Sequence, residues 1–444
     1  MIKLTAGNIA KMVGGTLVGN DELQFKEIDD ITLDSRRAKK GSLFVAIKGE
    51  KVDGHDYIDS ALEKGAVLAI SERDVTGCHI RVQSSLEAMQ RIAAYLREVS
   101  GVKVVAVTGS VGKTSTRQMI ACVLNKKFNI LSTEGNFNNE YGLPQTLFRL
   151  EPWHEIAVLE LGISHFGEMS RLGAIARPDY AVYTNIGSMH LENLIDRDGV
   201  LKAKTELVDF MPSSGRLFLN GDDDKLRSYH APISSVYFGM DENYPIYPSD
   251  IVQLGMERTR FTLHLYGETA EIDLPATGIY MIQNAVAAAN VAHELGMSLD
   301  EIKAGIESYT PVGHRGRVIR ANGITIVDDC YNAGPDSMRA AISALRNDGG
   351  RRIALLGDML ELGEKAVQLH HELGVFCAEA GLDALFTVGT LSKNIAIGAR
   401  ESGMKNVFCV SEGDAAQMIL DYIRPDDVLL VKASRGMRFE TIIE

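Results

Sequence analysis

The stretch VVAVTGSVGKTSTRQMI, residues 104–120, decides the fold. An apolar run of strand length breaks at glycine, and a helical pattern follows: strand, glycine loop, helix. The common phosphate-binding loop, G-x-x-x-x-G-K-[ST], needs a glycine five places before its second one. Here that position is Val107, and the first glycine is Gly109, three places before Gly112. The loop is short rather than broken, because the parts that hold phosphate remain. Glycines let backbone N–H groups approach the oxygens, and the next helix offers its positive N-terminus. Lys113 can reach terminal phosphates, and Thr114 or Ser115 can ligate Mg²⁺. A βα turn with a surface lysine is the plainer reading, and the Gly-x-x-Gly-Lys-Thr context weighs against it.

Outward from this loop, apolar runs alternate with helical segments: VKVVAVTG, FNILST, EIAVLELG, DYAVYTNI and GRLFLN. Such alternation predicts an α/β fold with a largely parallel sheet covered on both faces. Residues 233–275 carry several short strands, among them RFTLHLYG, and read as an antiparallel extension. The alanine-rich helix MIQNAVAAANVAHELG follows. Before the central unit lies a small mixed α/β unit, closed by a helix near 85–99. After the Gly- and Pro-containing YTPVGHRGR a second α/β series begins, with ITIVDDC, RRIALLGDM, ALFTVG, NVFCV and DVLLVKAS. Its first strand lacks a following G-x-G-x-x-G, which weakens a dinucleotide reading. The predicted organisation is three domains: 1–100, 101–311 as a P-loop ATPase-like domain, and 312–444 as a Rossmann-like domain.

Composition narrows the function classes. The 444 residues are 45% hydrophobic and 24% charged, as in ordinary globular chains. A net charge of −13 argues against a nucleic-acid partner. No apolar run reaches membrane-spanning length, so no membrane insertion is expected. MIKLTAGNIAKMVGG has no signal-peptide pattern, and the five scattered cysteines fit free thiols in a reducing cytoplasm.

Two strand ends supply candidate metal ligands. Glu160 ends AVLE, at the sheet edge where open α/β folds bind ligands, while His190 and Glu192 lie in the loop TNIGSMHLE. Each alone is a weak signal, and a lone loop histidine is more often ordinary polar surface. In GVLKAKTELVDFM, Lys202 and Glu206 read as an i,i+4 surface pair.

The order of the pieces carries more. TGSVGKTS, TEGNFNNEYGLP, LELGISHFGEM, TNIGSMHLE and LKAKTEL together resemble the Mur ligase superfamily, ATP-dependent amide-forming enzymes of peptidoglycan synthesis whose P-loop has this short form. DDCYNAGPDSMRAAI, LLGDMLELGE and LLVKASRGMRFE are similar to the members that add a dipeptide, and ITLDSRRAKKGSLFVAIKGEKVDGHDY resembles their UDP-sugar domain. The resemblance covers nearly the whole chain. It implies an EC 6.3.2-type ligase joining D-Ala-D-Ala to UDP-MurNAc-tripeptide through an acyl phosphate, with ATP and Mg²⁺, as a monomer.

It also implies roles by matching position. Thr108, Gly109, Ser110, Val111, Gly112, Lys113, Thr114 and Ser115 would hold the ATP phosphates, with Asn284, Arg315, Arg317 and Asp329 also at the nucleotide. Thr114, Glu160 and His190 would ligate Mg²⁺, and Lys204 matches a lysine that several relatives carry carbamylated. Lys113, Glu160, His190 and Lys204 would form the catalytic set. Asn136, Asn138, Asn139, Tyr331, Asn332, Ser434 and Arg435 would lie near the reacting substrates, and Ser35, Arg36, Lys48 and Gly49 near the UDP. The chain departs from the family where relatives read G-x-H-N-x-x-N-A. Here GIYMIQNA puts Tyr280 and Met281 at the His and Asn, leaving Asn284 as the polar residue for adenine. A folylpolyglutamate-type or other Mur-type ligase, or a non-catalytic nucleotide-binding relative, stays open at this point.

Overall fold

The computed structural model describes residues 2–311, 313–345 and 350–443. Val312, the first residue of the expected third domain, and the final residue of that span lie outside them.

The opening motif folds as strand Lys103–Thr108, a glycine loop and helix Lys113–Leu124. Val104 and Ala106 enter one hydrophobic cluster and Val105 and Val107 another, so the strand is covered on both faces. Around it stand five more strands, all parallel, in the spatial order Ser234–Phe238, Arg216–Asn220, Tyr180–Tyr183, Lys103–Thr108, Ile156–Glu160, Ile130–Ser132. From Lys103–Thr108 the chain runs to the edge strand Ile130–Ser132, returns inward with Ile156–Glu160, then crosses and builds outward on the other side. The glycine loop therefore sits at the switch point, where diverging connections open a crevice at the strand carboxyl ends. Glu160 ends the neighbouring strand on one side. Thr184 follows Tyr180–Tyr183 on the other.

Helix Ile279–Glu294 packs on Lys113–Leu124 through the second cluster, with Ile282, Ala285, Val286 and Ala289 buried. The expected antiparallel extension is a three-stranded sheet, Ile246–Leu254, Arg258–Leu265 and Glu268–Leu274. Helix Ser85–Ser100 starts on the Ser84 cap, ends at Gly101 in the left-handed region, and inserts Met89, Ile92 and Leu96 between the N-terminal unit and the central sheet. The N-terminal unit is a five-stranded sheet in the order Thr16–Val18, His79–Arg81, Leu68–Ser71, Ser42–Val45, Asp30–Thr32.

The C-terminal sheet runs Arg317–Ala321, Ile324–Asp328, Val428–Lys432, Arg352–Gly357, Ala384–Val388, Val407–Val410. Only the first strand is antiparallel to its neighbour. Inserting the last strand into the middle brings KASRGM beside DDCYN. One local reading fails: Glu206 does not pair with Lys202. Its carboxylate accepts from Gly167 N, Ser170 N and Ser170 Oγ, capping helix Glu168–Ala176.

Candidate active site

The glycine loop is fixed from the adjacent strand end. Ser110 N donates to Asn185 O at 3.0 Å, Val111 N to Asn185 Oδ1 at 2.9 Å, and Thr184 Oγ1 to Val111 O at 2.6 Å. Gly109 is at φ +146, and a Cβ there would stand 1.9 Å from Thr184 Oγ1. This close approach is what the first glycine is for. Lys113 folds back, donating to Gly109 O at 2.9 Å and Ser110 O at 3.1 Å. Burial pushes its ammonium below the ordinary lysine value, against the attraction of Glu160 and with the repulsion of Arg315.

Glu160 is buried. Asn138 Nδ2 donates to its Oε1 at 2.8 Å, and Thr133 Oγ1 accepts its backbone N–H at 3.0 Å. Its Oε2 has no hydrogen-bond partner and lies 3.9 Å from Arg117 Nε. Lys204, on helix Arg197–Thr205, is 1% exposed, and no acid or acceptor among the described residues meets its ammonium. Burial, and next the charge of Lys113, push it well below the ordinary value. Lys113 and Arg117 therefore face the carboxylate of Glu160, and buried Lys204 adds a third basic group beside Lys113. That imbalance suits anionic ligands despite the negative net charge, because local groups set the field in a cleft.

One cavity of about 460 Å³ gathers most of the expected centre: Ser110 to Thr114, Asn136, Asn138, Asn139, Glu160 and His190 from the central unit, and Tyr331, Asn332, Arg315 and Arg435 from the other side of the cleft. The Arg315 guanidinium stacks 3.8 Å over the Tyr331 ring, with Arg435 at 5.7 Å. His190, at φ +57, has Nδ1 2.6 Å from Glu361 Oε2 without the alignment of a hydrogen bond; Glu361 is held below the usual carboxylate range by His190.

A second cavity continues from Val111 and Gly112 past Ser115, Asn284, Arg315 and Asp329. Asn284 Oδ1 accepts from Thr116 Oγ1 at 2.8 Å, its Nδ2 faces Met281 Sδ at 3.5 Å, and Tyr280 lines the wall. Asp329 Oδ2 accepts from Lys432 Nζ at 2.5 Å. A third cavity, about 790 Å³, is lined by Ser35, Arg36 and Gly49, with Phe137 and Arg149 from the central unit. Its volume suits a nucleotide-sized ligand. Asp34 chelates Arg36, and that contact lowers the Asp34 carboxyl to about 2.

Several expected residues stand elsewhere. Arg317 is exposed on an edge strand and lines none of these cavities, Lys48 is exposed outside the third, and Glu192 is exposed outside the first. Ser434 is buried, its hydroxyl accepting from Leu360 N at 3.0 Å and donating to Ala333 O at 3.3 Å. Asn139 lines the first cavity, but its Oδ1 is engaged by Gly142 N at the start of helix Gly142–Leu147. The reading of the sequence missed Asn185, Asn220, Phe238, Gln283, Lys432 and Glu361, all lining these cavities. Asn185 and Asn220 were findable as polar residues at strand carboxyl ends; Glu361 and Lys432 come from remote segments.

Three family models match the chain: "Mur ligase family, catalytic domain" over residues 27–105, "Mur ligase middle domain" over 107–292 and "Mur ligase, glutamate ligase domain" over 314–435. The UDP-N-acetylmuramoyl-tripeptide–D-alanyl-D-alanine ligase of Bacillus subtilis is 36% identical over 456 residues, covering 100% of this chain and 98% of the relative. A crystal structure of MurF from Acinetobacter baumannii superposes with TM-score 0.92 at 32% identity, covering 99% of this chain and 98% of that one. MurF of Thermotoga maritima in complex with ADP gives 0.84 at 31%, covering 93% and 96%.

Proposed function

The chain belongs to the Mur ligase family, and from that premise we infer that it is an ATP-dependent acid–amino-acid ligase joining D-alanyl-D-alanine to UDP-N-acetylmuramoyl-tripeptide in peptidoglycan synthesis. The observation that carries this reading is the cavity in which the glycine loop, Glu160, His190 and the 136–139 loop face Tyr331, Asn332 and Arg435. Such a site suits three substrates meeting at one carboxylate.

A carboxylate is a poor acyl donor, since hydroxide leaves badly. Transfer of the ATP γ-phosphoryl group to its oxygen gives an acyl phosphate and ADP. The dipeptide amine then attacks the carbonyl carbon, the carbon–oxygen bond to phosphate breaks, and amide and inorganic phosphate result. Loop N–H groups from Gly109 to Thr114 and the ammonium of Lys113 would stabilise charge on the moving phosphoryl group. For that, Lys113 turns from the loop carbonyls it now contacts toward the phosphate. Asn138 keeps Glu160 aimed, and Arg315, which lines both cavities, would reach between phosphate and third substrate.

The residues present fit a divalent cation. Glu160 Oε2 is buried without a hydrogen-bond partner and shares its cavity with Thr114 and His190. These three would hold Mg²⁺, which when bound neutralises phosphate charge. Lys204, buried and unpaired, has the character of a neutral amine that takes up CO₂ with loss of a proton; the carbamate would add a second anion facing Lys113.

In the same reading Ser35, Arg36 and Gly49 serve the UDP moiety, Asn284, Arg315 and Asp329 the nucleotide, and Ser434 and Arg435 the dipeptide carboxylate. Ser434 would do so by holding its loop. Three domains divide near residues 100 and 311, and the protein works in the cytoplasm, where ATP and UDP-sugars are supplied. No described helix is long and apolar enough to cross a membrane.

The test is phosphate release from ATP and Mg²⁺ with UDP-MurNAc-tripeptide, with and without D-Ala-D-Ala, following product mass. Release that needs both acceptors and yields the pentapeptide supports the assignment. Release with a single amino acid, or none, overturns it.

A further inference from the structure

One of the contacts between the central and C-terminal units is made by the short segment 187–192, which also carries His190. Ser188 N donates to Asp336 Oδ2 at 3.2 Å. A Cβ on Gly187 would stand 2.2 Å from the same oxygen, one on Gly334 2.3 Å from Met189 Sδ, and one on Gly363 3.2 Å from Glu192 Cα. Inside this clamp Glu361 reaches across with Oε2 2.6 Å from His190 Nδ1. Glu361 makes no other ion pair or hydrogen bond among the described residues. Both partners have left-handed backbones, φ +63 for Glu361 and +57 for His190. Non-glycine residues adopt that region only where surrounding packing holds them, and such strain concentrates at functional contacts.

A carboxylate in line with one imidazole nitrogen places the proton there and leaves the other nitrogen as the lone-pair ligand; at 2.6 Å, Glu361 needs only a turn of the His190 ring to come into line. We propose that Glu361 is a positioning residue: from the C-terminal unit it sets the tautomer and ring orientation of His190, so that the cation end of the centre is complete only when that unit is seated on residues 187–192. The inference rests on the reading of His190 as a metal ligand. It would keep ATP from being hydrolysed before the third substrate's unit has docked.

The test measures Mn²⁺ affinity of the full chain with a non-hydrolysable ATP analogue, by the electron paramagnetic resonance of free Mn²⁺, so that no turnover is involved. Wild type, His190→Ala, Glu361→Ala and the double variant are compared. Glu361→Ala should weaken Mn²⁺ by about 10–100-fold. The loss should vanish in the His190→Ala background. Glu361→Gln, which retains an acceptor oxygen and keeps the side-chain volume, should recover part of the affinity and serves if Glu361→Ala fails to fold. With all substrates, kcat should fall while KM for D-Ala-D-Ala holds. Unchanged Mn²⁺ affinity in both Glu361 variants, or losses that simply add in the double variant, would overturn the inference while leaving the ligand reading intact. If His190→Ala itself binds Mn²⁺ like wild type, the ligand reading fails and the inference with it.

Discussion

Lys204 has a full side chain under cover and no acid to meet its charge. Burial of an unpaired ammonium favours the neutral amine, and the neighbouring Lys113 pushes the same way. Below the ordinary lysine range, roughly 10.4, the unfolded chain therefore holds a proton at this position that the native state resists. The unfolded state binding more protons means that stability rises with pH across that window and levels off above it. Lys204→Met should stabilise the CO₂-free protein at neutral pH and flatten this rise, measured by urea unfolding over a pH series. A variant with the wild-type slope would show that the ammonium is solvated after all. Sequence alone could not reach this, because LKAKTEL offers two lysines on one short helix, and only packing says that Lys202 is exposed while Lys204 is buried.

At the scale of elements, the glycine loop was the most legible piece, since its strand, turn and helix each have local causes. What the sequence did not disclose was the partner that makes the shortened loop workable. Thr184 and Asn185, from the next strand but two in chain order, supply the bonds that brace it. Gly109→Ala tests that brace. The new Cβ would meet Thr184 Oγ1 at 1.9 Å in a backbone at φ +146. The backbone cost alone is on the order of 1–3 kcal/mol, so thermal unfolding should show a lower midpoint together with weakened ATP binding. Gly267→Ala, at φ +92 with nothing within 4 Å, isolates the backbone cost and should leave ATP binding unchanged. Equal behaviour of the two variants would remove the claim that Thr184 shapes the loop. The C-terminal strands were legible from their apolar runs, whereas Arg317–Ala321 was not, being half-exposed and interrupted by Arg317 and Arg320. That is why Arg317, expected at the nucleotide, stands on an edge strand while Arg315, two residues earlier, lines the cleft.

Across the whole molecule, each of the three sheet units presents a cavity or cavity wall, and the chemistry belongs to the seams between them. The third cavity joins residues 30–57 to Phe137 and Arg149; the first joins the glycine loop to Tyr331 and Arg435. Family resemblance could name most of these residues, but their convergence depends on inserting Val428–Lys432 beside Ile324–Asp328, a pairing with no local signal. On the proposed route the three units together activate one carboxylate by phosphoryl transfer, and the fate of that carboxylate's oxygen tests this most directly. UDP-MurNAc-tripeptide labelled with ¹⁸O in its terminal carboxylate is turned over with ATP and D-Ala-D-Ala, and the phosphate is weighed by mass spectrometry. One ¹⁸O per phosphate released is the predicted result. Amide formation with unlabelled phosphate would contradict the acyl-phosphate route and the glycine loop's part in it.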